Sequence, residues 1–392
     1  MSIPMTAIGE IVVPIKTWNP RRASGASPFD YIDLSSVDRD EKTIVGPTPT
    51  IPSEAPSRAR QLVDAGDILV STVRPNLNAV AVVDEGLDGA TASTGFSVLR
   101  PVPEKAASRY IFHWVRTPSF VADMVRKATG ASYPAVSDKI VAESLIPLPP
   151  LEEQRRIAGI LDAADALRRR RREALALLDT LPGAIFAEMF GDPSKNPHGY
   201  ESGTIGDLLS DVRYGTSNKA GAEGALPILR MGNITYEGRM DLSDLKRIDL
   251  SEKDIPKHTV RRGDILFNRT NSADLVGKTA IFNEDDPYAF AGYLVRARVS
   301  NGNRPEYVAG YLNSPHGKKV LRNMAKNIVG MANINAKEMQ KIPILLTPED
   351  KQESYAARCA QIGDRRETLM GHLSQLETLF ASLQSRAFAG AL

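Results

Sequence analysis

At 392 residues the chain exceeds the usual single domain, which predicts two domains, or two joined by helices. With 42% hydrophobic and 24% charged residues it can build packed cores, and no apolar run reaches the roughly 18 residues of a membrane span. A single cysteine (Cys359), five scattered histidines and an N-terminus without a basic-then-apolar leader exclude a disulfide framework and a Cys-based zinc site, show no metal spacing such as HExxH, argue against a secretory signal, and fit the cytoplasm.

The net charge of +2 does not announce nucleic acid, but residues 195–346 carry 22 basic against 17 acidic side chains, so any DNA binding must come from local placement of charge. Taken in chain order, the first half opens with Ile8-Gly9-Glu10 and continues through a strand-like run, Asp67–Val73. A short helix is predicted near Arg109–Val115, and the Pro-rich entry Ile146–Pro150 blocks helix until Leu151. A long helical pattern follows, carrying Ile157, Leu161, Ala164, Leu167, Leu175, Leu178, Leu181 and Ile185. Pro182-Gly183 should kink or interrupt it, and Gly191-Asp192-Pro193 should end it.

The second half repeats the first. Ile205-Gly206-Asp207, Gly263-Asp264-Ile265-Leu266, Gly292-Tyr293 and Ser314-Pro315 echo Ile8, Gly66, Gly95 and Thr117 at an offset of 197. Pro348, Asp350 and Gln352 echo Pro150, Glu152 and Gln154 at 198, and Arg365-Arg366 echo Arg168-Arg169 at 197. A short helix is predicted near Pro305–Leu312, a Pro-rich entry at Ile342–Pro348, and a second long helix from Glu349. In that helix Ile362, Leu369, Leu376 and Leu383 recur every seven residues, with Leu373, Phe380 and Ala387 complementary and Arg366 the exception. Two such helices most simply pair with one another. Paired antiparallel, about 30 residues at 1.5 Å each would hold the two globular parts roughly 45 Å apart.

Several loops carry DNA-compatible chemistry. Arg74 and Asn76 in Ser71–Asn76, and Asn268, Arg269, Asn271 and Ser272 in Phe267–Ser272, follow the repeated Gly-Asp-Ile-Leu strands. Arginine pairs bidentately with guanine and asparagine with adenine, although a solvated hairpin end is the competing reading. The run Arg213-Tyr214-Gly215-Thr216-Ser217-Asn218-Lys219 mixes cationic, aromatic and small groups, and its glycine would allow close approach to a sugar–phosphate backbone. Gly130–Tyr133 and Gly330–Asn335, which includes Asn333, are either DNA-facing loops or plain connectors. The five-Arg run Arg168–Arg172 spans every face of a helix, so it reads as a solvated face or a docking surface, with Asp162, Asp165 and Glu173 as local partners. No (N/D)-P-P-(Y/F) loop for a flipped base, no Walker A motif and no nucleophile elbow is present, which argues against methyl transfer, ATP-driven translocation and acyl chemistry by this chain.

Two stretches, Ile146–Asp162 and Phe186–Pro193, resemble the central region of specificity subunits of type I restriction-modification systems. Asp211–Lys219, Pro227–Ile234 and Arg262–Arg269 resemble parts of their target-recognition domains, whereas Val12–Arg22 lacks a counterpart of the Tyr214–Ser217 run. The resemblance implies an α+β fold: two similar strand-rich target-recognition domains, residues 1–150 and 193–347, separated by two long helices, within 151–192 and 348–392, paired as an antiparallel coiled coil. It implies a non-catalytic subunit that reads a split site in double-stranded DNA, with two methyltransferase subunits and restriction/translocase subunits as partners. No cofactor would be its own, since S-adenosylmethionine, ATP and Mg would bind only in the partners. The DNA-contact candidates are Arg74, Asn76, Tyr133, Arg213, Tyr214, Thr216, Asn218, Lys219, Arg230, Asn268, Arg269, Asn271, Ser272, Lys278 and Asn333. The alternatives are a two-lobed coiled-coil protein-binding scaffold without DNA specificity, and a nuclease or transferase with unrecognised motifs.

Overall fold

The repeated Gly-Asp-Ile-Leu segments explain why the two halves fold alike. Each glycine sits at positive φ, +90° for Gly66 and +87° for Gly263, and turns the chain into a strand. The aspartate behind it is buried and takes two kinds of donor. Asp67 accepts from the Asp64 backbone N–H at 2.9 Å and from the Arg100 guanidinium at 2.9 and 2.7 Å. Asp264 accepts from the Arg261 backbone N–H at 2.9 Å and from Arg298 at 2.7 and 3.0 Å. A buried carboxylate is tolerated because both oxygens are satisfied and charge-paired. The motif is therefore a fold determinant in both halves.

The computed structural model describes residues 3–23, 27–328 and 331–392, so Gly330 of the Gly330–Asn335 stretch lies outside the described residues. Its helices are α1 (Ser108–Trp114), α2 (Pro118–Lys127), α3 (Asp138–Ala142), α4 (Leu151–Phe190), α5 (Ile255–His258), α6 (Pro305–Asn313), α7 (Pro315–Met324), α8 (Ala336–Gln340) and α9 (Glu349–Phe388). The chain divides into two compact units, residues 1–172 with 371–392, and residues 173–370.

In the first unit one antiparallel sheet orders the strands Val12–Val13, Phe96–Pro101, Ile68–Ser71 and Val80–Val82. A second sheet orders Thr48–Thr50, Phe29–Ile32, Thr91–Ser93 and Ala59–Leu62, with the middle pair parallel. Met5–Ala7 pairs with Leu145–Pro147 and ties the start of the chain to the entry of α4. The second unit repeats this plan with Leu209–Tyr214, Leu294–Val299, Ile265–Asn268 and Thr279–Ile281 in one sheet. Its second sheet is Lys246–Ile248, Leu226–Leu229, Tyr288–Phe290 and Thr259–Val260, again with a parallel middle pair. A small extra sheet, Thr270–Asn271 with Met331–Asn333 and Lys326–Ile328, belongs to this unit alone among the described residues.

A buried glutamine fastens each long helix to its own globular part. Gln154 accepts from the Ala107 N–H at 3.0 Å and donates to the Lys105 and Pro149 carbonyls. Gln352 accepts from the Arg304 N–H at 2.9 Å and donates to Asn303 and the Thr347 carbonyl. Tyr110 and Tyr307, both buried, donate to the Pro147 and Leu345 carbonyls at 2.7 Å. Two clusters of this kind, built twice from the same residue types, record the duplication in atoms.

Within each unit the long helices run antiparallel. In the first, Arg172 meets Glu377 at 2.9 Å and Arg156 donates to the Leu392 carbonyl at 2.9 Å. In the second, Asp179 meets Arg366 at 3.0 Å and Glu188 meets Arg358 at 3.5 Å. On α9 the expected seam is present: Leu369, Phe380 and Ala387 are buried, and Ile362, Leu373, Leu376 and Leu383 are partly so. On α4, Leu167 and Leu181, part of the apolar pattern of that helix, are 50% and 39% exposed. The helix also runs without interruption through Pro182, whose carbonyl accepts from the Tyr355 hydroxyl at 3.1 Å. Of the five-Arg run, Arg168 and Arg172, one turn apart, are committed to partners within the chain: Arg168 pairs with Asp165 at 3.0 Å and covers the Phe380 ring, while Arg172 also reaches Glu41.

Candidate nucleic-acid interface

Each unit carries an arginine laid on a tyrosine just past its Gly-Asp-Ile-Leu strand. Arg74 adopts a left-handed φ of +50°, imposed by the turn into Pro75–Leu77, and its backbone N–H donates to the Pro134 carbonyl at 2.7 Å. That bond brings the two loops together and sets the Arg74 guanidinium 4.7 Å from the centre of the Tyr133 ring. Tyr133 is 69% exposed, Asn76 is exposed two residues on, and among the described residues the Arg74 guanidinium makes no hydrogen bond. Stacking of this kind holds a guanidinium flat while leaving its edges for a ligand.

In the second unit the tyrosine comes from a different element. Tyr214 ends a strand, and its hydroxyl accepts from the Ala336 N–H at 2.9 Å. Arg269 lies 5.0 Å from that ring, with its backbone N–H bonded to the Tyr293 carbonyl at 3.0 Å and one guanidinium N–H to the Gly292 carbonyl at 3.3 Å. Its Nε is buried without a partner. Asn333 stands beside them: its side chain accepts from the Thr270 hydroxyl at 3.3 Å, and Thr270 is its ladder partner. Asn271 shares that small sheet, and Ser272, Asn218 and Lys219 are exposed.

Four of the candidates are placed otherwise than their sequence context suggests. Asn268 is fully buried, its Oδ1 taken by the Thr270 N–H, because both faces of its strand are covered. Thr216 is 5% exposed and its hydroxyl accepts from the Asn218 N–H at 3.1 Å, so it shapes the loop from within. Lys278 donates to the Met231 and Ile234 carbonyls, and burial lowers its pKa; it braces a loop. Arg230 is held by Asp244 through its carboxylate at 2.9 Å and its carbonyl at 3.0 Å. Arg213 is half-exposed but leans on Asp211 at 3.0 Å. Gly215 is likewise needed by the chain itself: a Cβ there would stand 2.3 Å from the Phe290 and Ala291 carbonyl oxygens.

Tyr293, 51% exposed and bonded through its carbonyl to Arg269, was not among the candidates. The repeat paired it with Phe96, yet the ladders differ by one residue. Ile68 faces Leu99, whereas Ile265 faces Ala297. Phe96 therefore corresponds to buried Leu294, and Tyr293 falls on the outer face.

Comparison with known proteins points to one kind of relative. The model of the type I restriction modification DNA specificity domain matches residues 54–176. The chain is 26% identical over 316 residues to the specificity subunit of the EcoKI type I restriction enzyme of Escherichia coli (strain K12), covering 75% of this chain and 68% of that one. It is 26% identical over 310 residues to the StySPI specificity subunit of Salmonella potsdam, covering 74% and 67%. The chain is thus similar to specificity subunits of type I restriction enzymes over about three quarters of its length. A solved chain from work on complex assembly and conformational transition of the type I R-M system is 25% identical, covers 98% of its own length and 100% of this one, and superposes with a TM-score of 0.61. The same α+β plan of strand-rich units and long helices therefore underlies this chain and that structure.

Proposed function

We propose that this chain is a specificity subunit that reads a split site in double-stranded DNA, one half-site per reading domain, with residues 1–150 and 193–347 as those domains. The observation that carries this reading is that in both units the arginine just past the same strand lies on a tyrosine whose ring is at least part-exposed. Arg74, Asn76 and Tyr133 read or grip DNA from the first domain; Tyr214, Arg269, Asn271, Ser272 and Asn333, with Asn218 and Lys219 nearby, do so from the second. Arginine edges suit guanine or phosphate, and asparagine suits adenine. The chain itself catalyses nothing. It works in the cytoplasm and brings two methyltransferase subunits and restriction subunits to the site; S-adenosylmethionine, ATP and Mg act in those partners. Among the described residues no group of acidic, histidine or cysteine side chains is arranged to hold a metal, and no helix is long and apolar enough to cross a membrane.

The test is selection of duplexes from a randomised pool by the purified subunit assembled with its methyltransferase partners. Two short fixed sequences separated by an unread spacer of constant length are expected, with affinity falling steeply as salt rises. Enrichment of one continuous motif, or of nothing, would overturn the reading.

A further inference from the structure

The two units fill the space behind their first helix differently. The buried Gln154 and Gln352 fix the correspondence along α4 and α9, and Tyr110 and Tyr307 fix it along α1 and α6. Phe112, His113 and Arg116 then stand where the second unit has Ala309, Gly310 and Asn313. Asp162 and Asp165 stand where it has Ala360 and Gly363, and Phe380 where it has Pro182. In the first unit the large side chains close the space. Arg116 pairs with Asp165 at 3.1 Å, both side chains under a tenth exposed, and lies over the Phe112 and Phe380 rings; His113 bonds Asp162.

In the second unit the smaller residues leave a groove of about 760 Å³ walled by α4, α6 and α9. That is the size range of a specific ligand site. Five carboxylates line it against three cations, Arg239, Lys318 and Arg366, so the balance is acidic. Asn313 commits its Nδ2 to the Thr279 carbonyl at 2.9 Å, which leaves its Oδ1 a buried acceptor with no donor. Glu306 and Glu367 line the groove, and among the described residues neither makes a hydrogen bond or ion pair. Asp179 is already taken by Arg239 at 2.6 Å and Arg366 at 3.0 Å. What is missing is a donor-rich cation on an apolar stem, and the first unit supplies one from its own chain at the position of Asn313: Arg116.

We propose that this groove receives an arginine-bearing segment of one methyltransferase subunit, so that the two subunits dock on chemically unequal positions. The inference rests on the two-methyltransferase assembly proposed above. The test uses the full chain, its methyltransferase subunit and native mass spectrometry. Gly363→Phe plugs the groove at an exposed helix position where an added Cβ meets open space, and Glu306→Lys reverses the wall charge. The parent is expected to take two methyltransferase subunits, while each variant takes one as before and the second at least about tenfold more weakly. Cys359, the single cysteine of the chain, lines the groove, and its alkylation rate should fall by about tenfold in the parent complex if burial there excludes reagent. Variants that take two subunits at parental affinity, variants that melt normally yet take none, or a Cys359 that alkylates equally fast in the complex would each overturn the proposal. A parent that takes no subunit would overturn the assembly itself, which separates the two failures.

Discussion

Arg269 and Asp162 show how the same physics, a charge placed on an apolar surface, serves two ends. Arg269 is stacked on a half-exposed ring with part of its guanidinium uncommitted, so Arg269→Ala should leave unfolding unchanged and weaken specific DNA binding by about 1–3 kcal/mol, concentrated at one base pair. An equal loss for all sequences with a flatter salt slope would make it a phosphate contact, and no loss in either assay would remove it from the interface. Asp162 faces inward. Burial would raise its carboxyl, but hydrogen bonds from His113 and Arg109 win and bring it to about 2, while burial keeps the His113 imidazole below its ordinary 6.5. A depressed carboxyl adds stability above its unfolded value of 3.8 that is lost as pH falls through about 2. Protonation of buried His113 costs less with Asp162 opposite than without it. The unfolding midpoint of Asp162→Asn should therefore trail the parent at pH 7, trail it further between about 6.5 and 4, and converge on it toward pH 2. A gap independent of pH would show that the carboxylate charge is not its source.

At the scale of elements, what was legible depended on whether a signal was local. The Pro-rich entries, the heptad seam of α9, the Gly191 stop of α4 and the short helices α1 and α6 were all readable, because capping, periodicity and proline sterics act within a few residues. The apolar pattern of α4 did not show that Leu167 and Leu181 are exposed, because three- and four-residue steps admit two faces and only a packed partner chooses between them. Pro182 removes one hydrogen bond from α4, yet α4 continues past it, so neighbouring packing outweighs the local penalty. Arg74 and Arg269 were legible as loop residues after the repeated strands, but the ring that each one meets, Tyr133 or Tyr214, comes from another part of the chain and was not. Which side chains of those loops face outward was not. Asn268 and Thr216 turn inward, and Tyr293 turns outward by a one-residue ladder shift that no single-sequence pattern records.

At the scale of the molecule, α4 begins in one compact unit and ends in the other, and α9 does the same in reverse. The helices are thus continuous through both boundaries, Arg172/Glu173 and Met370/Gly371, and a matched change in their lengths leaves each unit's internal packing intact. Inserting seven residues at both boundaries preserves the heptad repeat and adds about 10.5 Å of helix. At about 3.4 Å per base pair, that is close to three base pairs of DNA. Both half-sites should keep their sequences, since the loops that read them are untouched, and the unread spacer should lengthen by about three. Three base pairs also rotate the second half-site by nearly a third of a turn at about 10 per turn. The DNA must twist or bend to absorb that rotation, so the extended subunit should act more weakly than the parent at its new sites. Mapping methylated bases in cells that carry the extended chain decides the matter: an unchanged spacer at full activity would mean that the paired helices do not set the distance between half-sites.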